Sequence, residues 1–357
     1  MSDIVPPKKP TERVREIDLL RFLAALAVVF FHYSFRGYIA QRTVMPYPLL
    51  APVAKYGLYG VELFFLISGF VILMTASSGD ARKFIVSRVV RLYPAFWACC
   101  TITFLAIIFF GRGHFTASLR QYLVNMTMLN EFLNVTSIDG VYWSLAVEMR
   151  FYALVAVLLV IKKIHRAELF LILWLAATIV LEAFPIDRLQ TLLITNYSPY
   201  FIAGAISFLV WSQGMSFARI GAYLASWLMA LHGSLKGFEG FEKQYHTPLS
   251  RPAVLVLLSI FFAILWLVSI RKTGFLGKSN WAALGALTYP LYLIHENVGF
   301  MIFNIGYPAL NPHLLLWGTV LAMIGLAFFI NTAVEARFSP YLKNWLNAVT
   351  TGRSLRG

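Results

Sequence analysis

Leu19–Phe35, reading LLRFLAALAVVFFHYSF, is an apolar run broken by an arginine near its start and, near its end, by a histidine and a serine. Its length suits a membrane-crossing helix, which needs about 20 largely apolar residues. Arg21 and His32 are eleven positions apart, and eleven steps of about 100° bring both side chains to nearly one helix face, about 16 Å apart along the axis. Across a bilayer, the arginine then sits at one surface and the histidine near the middle. An ionisable group at that depth costs several kcal/mol unless it is paired or wetted. Two readings of His32 follow: a reactive group, or a hydrogen-bond partner of a neighbouring helix.

The composition extends this reading to the whole chain. Of 357 residues, 59% are hydrophobic and 13% charged, and the mean hydropathy is +0.71. These values place the chain among all-α polytopic membrane proteins. Apolar stretches recur near residues 17–36, 57–75, 92–111, 141–161, 167–184, 196–213, 218–232, 253–270, 281–304 and 314–334, about ten spans in all. The stretch 218–232 is short, with Arg219 and His232 at its ends, and is either a span or re-entrant.

The net charge of +14 raises nucleic acid as a partner, but the cations form separated clusters between spans rather than one stripe. No nucleic-acid binding is expected. Lys8, Lys9, Arg13 and Arg15 precede the first span; Arg82, Lys83, Arg88 and Arg91 follow the second; Lys162, Lys163 and Arg166 follow the fourth. Arg271, Lys272 and Lys278 follow the eighth, and Arg337, Lys343, Arg353 and Arg356 the last. Ten spans put every cluster on one side, which the positive-inside rule makes cytoplasmic, with both termini there. The first span lacks a small-residue cleavage site and is expected to remain as a helix. Cys99 and Cys100 are adjacent within the third span; they offer neither a structural disulfide nor a metal cage and read as packing residues.

Residues 1–357 are expected to form a single membrane domain, with 1–16 a cytoplasmic N-terminal segment and 338–357 a cytoplasmic tail. Gly111–Gly140 carries Phe115, Leu119, Tyr122, Leu123 and Met126 at helical spacing, which suggests an interfacial helix or a cap over the bundle. Gly233–Pro252 mixes Gly, Pro, Phe and both charge signs and reads as a loop near an entrance. No internal repeat argues for the inverted halves of a transporter.

Counting residues inward from span ends places Glu62 and Glu148 in the outer half, with His295 at a similar level and Glu296 beside it on another face. With His32, four groups from four helices then share a layer suited to acid/base chemistry on a hydroxyl. Each also has a plainer reading: Glu62 in a wet vestibule, Glu148 as a structural carboxylate, His295 as an interhelical hydrogen-bond partner. Arg88 and Arg91, three apart before Leu92, Tyr93 and Pro94, put two guanidiniums on one face at a helix start. Guanidinium forks suit phosphates, and Arg21 enters from the same side; ordinary snorkelling to lipid phosphate fits as well.

Six segments in order resemble the acyltransferase 3 family of integral membrane acyltransferases. Arg15–Tyr33, REIDLLRFLAALAVVFFHY, is similar to the family's first helix, with Arg21 and His32 on its arginine, ten residues, histidine motif. Gly60–Phe70, GVELFFLISGF, resembles the second helix; Arg88–Pro94, RVVRLYP, the paired-arginine motif; Trp143–Tyr152, WSLAVEMRFY, the tryptophan, serine, leucine and glutamate motif. Tyr197–Gly204 resembles a short phenylalanine and glycine segment, and Gly285–His295, GALTYPLYLIH, the late tyrosine and histidine segment. Met149 and Arg150 stand where an acidic residue and a glutamine are usual. Glu335 is not followed by the proline common in the family, and no catalytic role is expected of it.

The resemblance implies a multi-pass protein of the bacterial cytoplasmic (inner) membrane that moves an acyl group, most often acetyl, from cytoplasmic acyl-CoA to a hydroxyl of a glycan or glycolipid such as O-antigen or exopolysaccharide. Arg88, Arg91 and Arg21 are then expected to hold the phosphates of acetyl-CoA, with no metal required. His32 acts as general base or carries the acyl group itself, Glu148 orients or balances it, and Glu62 and His295 are further candidates. Trp143, Tyr142 and Tyr152 offer stacking faces for a sugar. Membrane lipid surrounds the bundle, and a homo-oligomer is compatible with this fold. Two other classes compete: a transporter or flippase for a glycan or lipid-linked sugar, in which His and Glu form a proton relay, and an accessory subunit that needs none of these groups.

Overall fold

The computed structural model describes residues 14–351. Lys8, Lys9, Arg13, Arg353 and Arg356, and so part of the expected terminal segments, lie outside the described residues. Within them the chain is helical. Ten long helices follow one another: α1 Arg15–Phe31, α2 Gly60–Ala76, α3 Ala81–Phe110, α4 Trp143–Val160, α5 Ala167–Ala183, α6 Ser198–Gln213, α7 Phe217–Tyr245, α8 Arg251–Ser269, α9 Ala282–Gly306 and α10 Pro312–Phe329. An amphipathic helix, α11 Ala336–Thr351, ends the described chain.

Seven stretches are long and apolar enough to cross a membrane: those containing α1, α2, α3, α4, α5, α8 and α10. The other three expected spans, α6, α7 and α9, are helical but shorter or more polar. A physical reason is visible for α6 and α9. A helix enclosed by other helices has no need of a fully apolar surface, and α6 is buried from Ser198 to Val210. It packs on α2, α5, α7 and α8, while α9 packs on α1, α3 and α10. The α1–α2 contact joins the two groups. At the tightest crossing, a Cβ on Gly204 of α6 would lie 1.9 Å from the Leu66 carbonyl oxygen, and one on Gly69 of α2 2.1 Å from that of Phe201. Only glycines let two backbones touch in this way.

Three expectations need correction. First, α3 begins at Ala81, capped by Asp80, so Arg88 and Arg91 stand two turns or more inside the helix rather than at its start. The Lys83 backbone N–H on its carboxylate holds Asp80, at the protein surface, below the usual carboxylate range. Second, the segment expected as a loop from Gly233 continues α7 to Tyr245. Gly233, Gly237 and Gly240 face open space, whereas Phe241 and Tyr245 pack on Phe31 and Phe35 below them, and that stripe sustains the helix. Third, the chain after Gly111 does not cap the bundle. A short helix, Leu119–Asn125, opens with a Ser118/Gln121 capping box and runs back along α3. Tyr122 stacks on Phe104 at 4.5 Å, Trp97 Nε1 donates to Met126 O at 2.9 Å, and Tyr93 Oη donates to Thr127 O at 2.9 Å. These partners step down α3 from residue 104 to residue 93, so the segment dips into the helical body and α4 starts within it.

Candidate active site

The first polar layer is built by α1 and α9. After Phe31 the α1 helix widens into a π-helical turn, His32–Arg36, a distortion found frequently at functional sites. Tyr33 Oη donates to the His295 carbonyl at 2.7 Å and its ring fills the space opposite Gly299, which fixes α9 against α1. The two imidazoles then meet: His295 Nε2 and His32 Nδ1 are 3.1 Å apart, and both residues are buried.

Their tautomers follow from the partners. His295 Nδ1 faces the carbonyl oxygens of Tyr292, at 2.9 Å, and Leu291, at 3.2 Å. Carbonyls only accept, so this nitrogen carries the proton and, in the neutral ring, Nε2 is an acceptor. His32 Nδ1 then donates, shared between His295 Nε2 and the Val28 carbonyl at 2.8 Å. His32 Nε2 is left with its lone pair. Facing it at 3.7 Å is Glu296 Oε2, a buried carboxylate oxygen without a hydrogen-bond partner. Arg36 Nη1 donates to the other oxygen, Oε1.

A loop closes this layer. Asp139 Oδ1 accepts from Val141 N at 3.3 Å and its Oδ2 from Asn297 N at 3.1 Å, and Asn297 Nδ2 donates to Ile138 O at 2.8 Å. Gly140 lies so close that a Cβ there would meet the Glu296 carboxylate at 2.5 Å.

The second layer lies one to two turns back along α9, around a narrow cavity of about 50 Å³ lined by Arg21, Ser68, Ser144, Glu148, Tyr289 and Tyr292 among others. That volume suits a few water molecules. Ser68 Oγ donates to Glu148 Oε1 at 2.6 Å, and Ser144 Oγ and Tyr292 Oη are 2.8 Å apart. Arg88 and Arg21 both lie near Tyr152, and Arg91 lies near Arg21. Arg91 also donates to Glu335 and its guanidinium lies 5.7 Å from the Tyr289 ring centre.

The expected single layer is therefore two. His32 and His295 meet, but the partners of His32 are Val28, His295 and Glu296, and Glu148 is not among them. Glu148 falls with Arg21, because the dip before α4 lowers the whole helix and defeats a depth counted from an assumed outer end. Glu62 also stands apart, near Tyr59, Tyr197 and Tyr200. Of the three aromatic residues expected to stack on a sugar, Trp143 is 38% exposed, beside Phe65 and Tyr197. Tyr142 is buried against Phe96, and Tyr152 belongs to the arginine layer. The unusual Arg150 pairs with Glu131 at 3.2 Å and covers the Phe132 ring, so it fastens the dipping segment. Cys99 and Cys100 are free and buried in the core. Among the described residues no cluster of His, Cys, Asp and Glu is placed to hold a metal ion.

The sequence reading missed Arg36 and Asp139. Arg36 stands four residues beyond His32, and Asp139 precedes a glycine and the Trp143 motif as a helix cap would; both signals are local.

Comparison with known proteins agrees with these motifs. The chain is 26% identical to Nodulation protein 10 of Rhizobium leguminosarum bv. viciae, over 90% of this chain and 94% of that protein. It is 30% identical to the peptidoglycan O-acetyltransferase OatA of Listeria monocytogenes serovar 1/2a, over 39% of this chain and 23% of that protein. No solved structure matches it. The model of the acyltransferase domain matches residues 14–333, which takes in the histidine layer and the arginines of the second layer but not Glu335, and the chain therefore belongs to the acyltransferase 3 family of membrane acyltransferases.

Proposed function

We propose that the chain is an O-acetyltransferase of the bacterial cytoplasmic membrane, with ten spans and both termini inside, that carries acetyl from acetyl-CoA on the cytoplasmic side to a hydroxyl of a glycan or lipid-linked glycan. One observation carries this reading. His32 Nε2 holds a free lone pair beside a buried carboxylate, above a cavity bordered by arginine.

The arginine layer receives the donor phosphates through charge-assisted hydrogen bonds, and the uncharged arm of the donor runs up the cavity between α2, α4 and α9. His32 Nε2 takes the proton of the acceptor hydroxyl as its oxygen attacks the thioester carbonyl. The tetrahedral intermediate then expels the thiolate, which recovers that proton from the imidazolium. Glu296 stands where the imidazolium charge develops and balances it, a part expected of Glu148 on sequence grounds. His295 holds His32 in the required tautomer. The peptidoglycan acetyltransferase among the relatives supports a glycan acceptor, and Trp143 supplies an exposed ring for a sugar face.

Membranes containing the intact protein or its His32→Ala form, given labelled acetyl-CoA and envelope glycans, test the proposal. Label is expected in glycan with the intact protein alone. Label moved equally by both forms would remove His32 from the reaction, and unmodified glycan crossing the membrane would make the protein a transporter.

A further inference from the structure

Arg91, which the preceding proposal assigns to the donor phosphates, is already engaged. Its guanidinium donates to Glu335, whose other oxygen accepts from Asn331 Nδ2 at 3.4 Å. Three residues away, Arg88 reaches Ser87 Oγ at 2.8 Å but keeps a buried Nε with no hydrogen-bond partner. A buried guanidinium nitrogen without an acceptor is costly, and one paired only to a carboxylate can exchange that acceptor for another. Both features ask for an oxyanion.

Glu335 closes a second π-helical turn, Ile330–Glu335, which joins α10 to α11. A wide turn of this kind marks a place where a helix can bend. Beyond it, α11 packs on α3: Ser339 Oγ donates to Val90 O at 3.3 Å, and Phe338 meets Trp97 edge to face at 6.2 Å. Between the two helices lies an open cleft of about 400 Å³ lined by Val90, Asn331, Glu335, Ser339 and Lys343. Lys343 brings a cation to a cleft that Glu335, the partner of Arg91, also lines.

We propose that this α3–α11 cleft is the seat of the phosphate-bearing end of the donor, with Glu335 a built-in competitor that occupies Arg91 until phosphate displaces it and Lys343 a further phosphate ligand on a movable α11. The inference rests on the assignment of Arg88 and Arg91 to the donor. Glu335 touches no reacting atom, so it positions Arg91 and sets how readily the donor enters. An apparent affinity falls by the fraction of protein whose site is free, and removing the competitor raises it.

The test measures binding of tritiated CoA to the purified full-length protein in a neutral, phospholipid-free detergent, with inorganic pyrophosphate as competitor. Glu335→Gln is expected to tighten CoA by about 3- to 10-fold, and Lys343→Ala to weaken it and blunt competition by pyrophosphate. Val90→Cys together with Ser339→Cys, oxidised to tie α11 to α3, is expected to weaken CoA binding reversibly, with recovery on reduction. This pair keeps the question open to test if Glu335→Gln fails to fold. Weaker binding in Arg88→Ala with Arg91→Ala, alongside unchanged or weaker binding in Glu335→Gln and no effect of the tether, would overturn the inference while sparing the donor assignment. CoA binding that ignores the two arginines as well would overturn both.

Discussion

The histidine layer and the arginine layer share the helices α1 and α9, the second adding Arg88 and Arg91 from α3 and Glu148 from α4, and they hold their charges differently. In the histidine layer most polar atoms are fixed by a short-range partner, and two that are not, His32 Nε2 and Glu296 Oε2, face each other. In the arginine layer Arg91 is held by Glu335 and lies beside the Tyr289 ring, Arg88 reaches Ser87, and Arg21 lines a cavity with Glu148. The first arrangement is preorganised for moving a proton, which needs one base at one place. The second suits a multiply charged ligand, whose oxygens can replace weak partners one at a time.

This contrast makes separable predictions. The largest effect is expected for His32→Ala: transfer should fall by about 10²- to 10⁴-fold with CoA affinity unchanged, as measured by turnover and equilibrium binding side by side. Next, Glu296→Gln should lower kcat by about 10- to 100-fold, on the scale of losing one electrostatic partner in a buried site, and leave the donor KM alone. Glu148→Gln should instead disturb the donor KM. Should Glu148→Gln lower kcat as much as Glu296→Gln does, the two layers act as one. Arg88→Ala with Arg91→Ala should raise the donor KM by roughly 10-fold or more while kcat stays within a few-fold, the pattern of lost ground-state binding. Smallest of all, Tyr33→Phe removes the hydrogen bond that ties α1 to α9, a loss of about 0.5–1.5 kcal/mol; a slightly lower unfolding midpoint and a less than tenfold drop in kcat should follow.

The helices and the arginine cluster were legible from the sequence because both depend on local pattern: apolar runs of membrane length, and cations at a spacing of three. The partner of His32 was harder. Adjacent residues on a helix point about 100° apart, which argues that His295 and Glu296 serve different sites. The two nitrogens of one imidazole point well apart, and each faces one of the two, His32 Nδ1 towards His295 and Nε2 towards Glu296. Glu148 departs from its expected depth for another reason. Depth along α4 depends on where that helix starts, and the chain before it descends along α3 through hydrogen bonds at Trp97 and Tyr93 that no periodicity announces. The long α7 was hidden by its glycines, which read as a loop until Phe241 and Tyr245 are seen packed on α1.

Tyr289, Tyr292 and His295 follow one another at intervals of three residues on the continuous helix α9. The step from Tyr289 of the arginine layer to His295 is thus a length of about 9 Å at 1.5 Å per residue. Such a helix works as a ruler. A donor gripped by its phosphates presents its reactive carbon at a height set by its own arm, and an arm too short or too long delivers that carbon beside the wrong rung. One residue inserted between Tyr289 and His295 would shift His295 and Glu296 by about 1.5 Å and turn them by about 100°, taking both partners away from His32 while the base on α1 and the arginine layer stay in place.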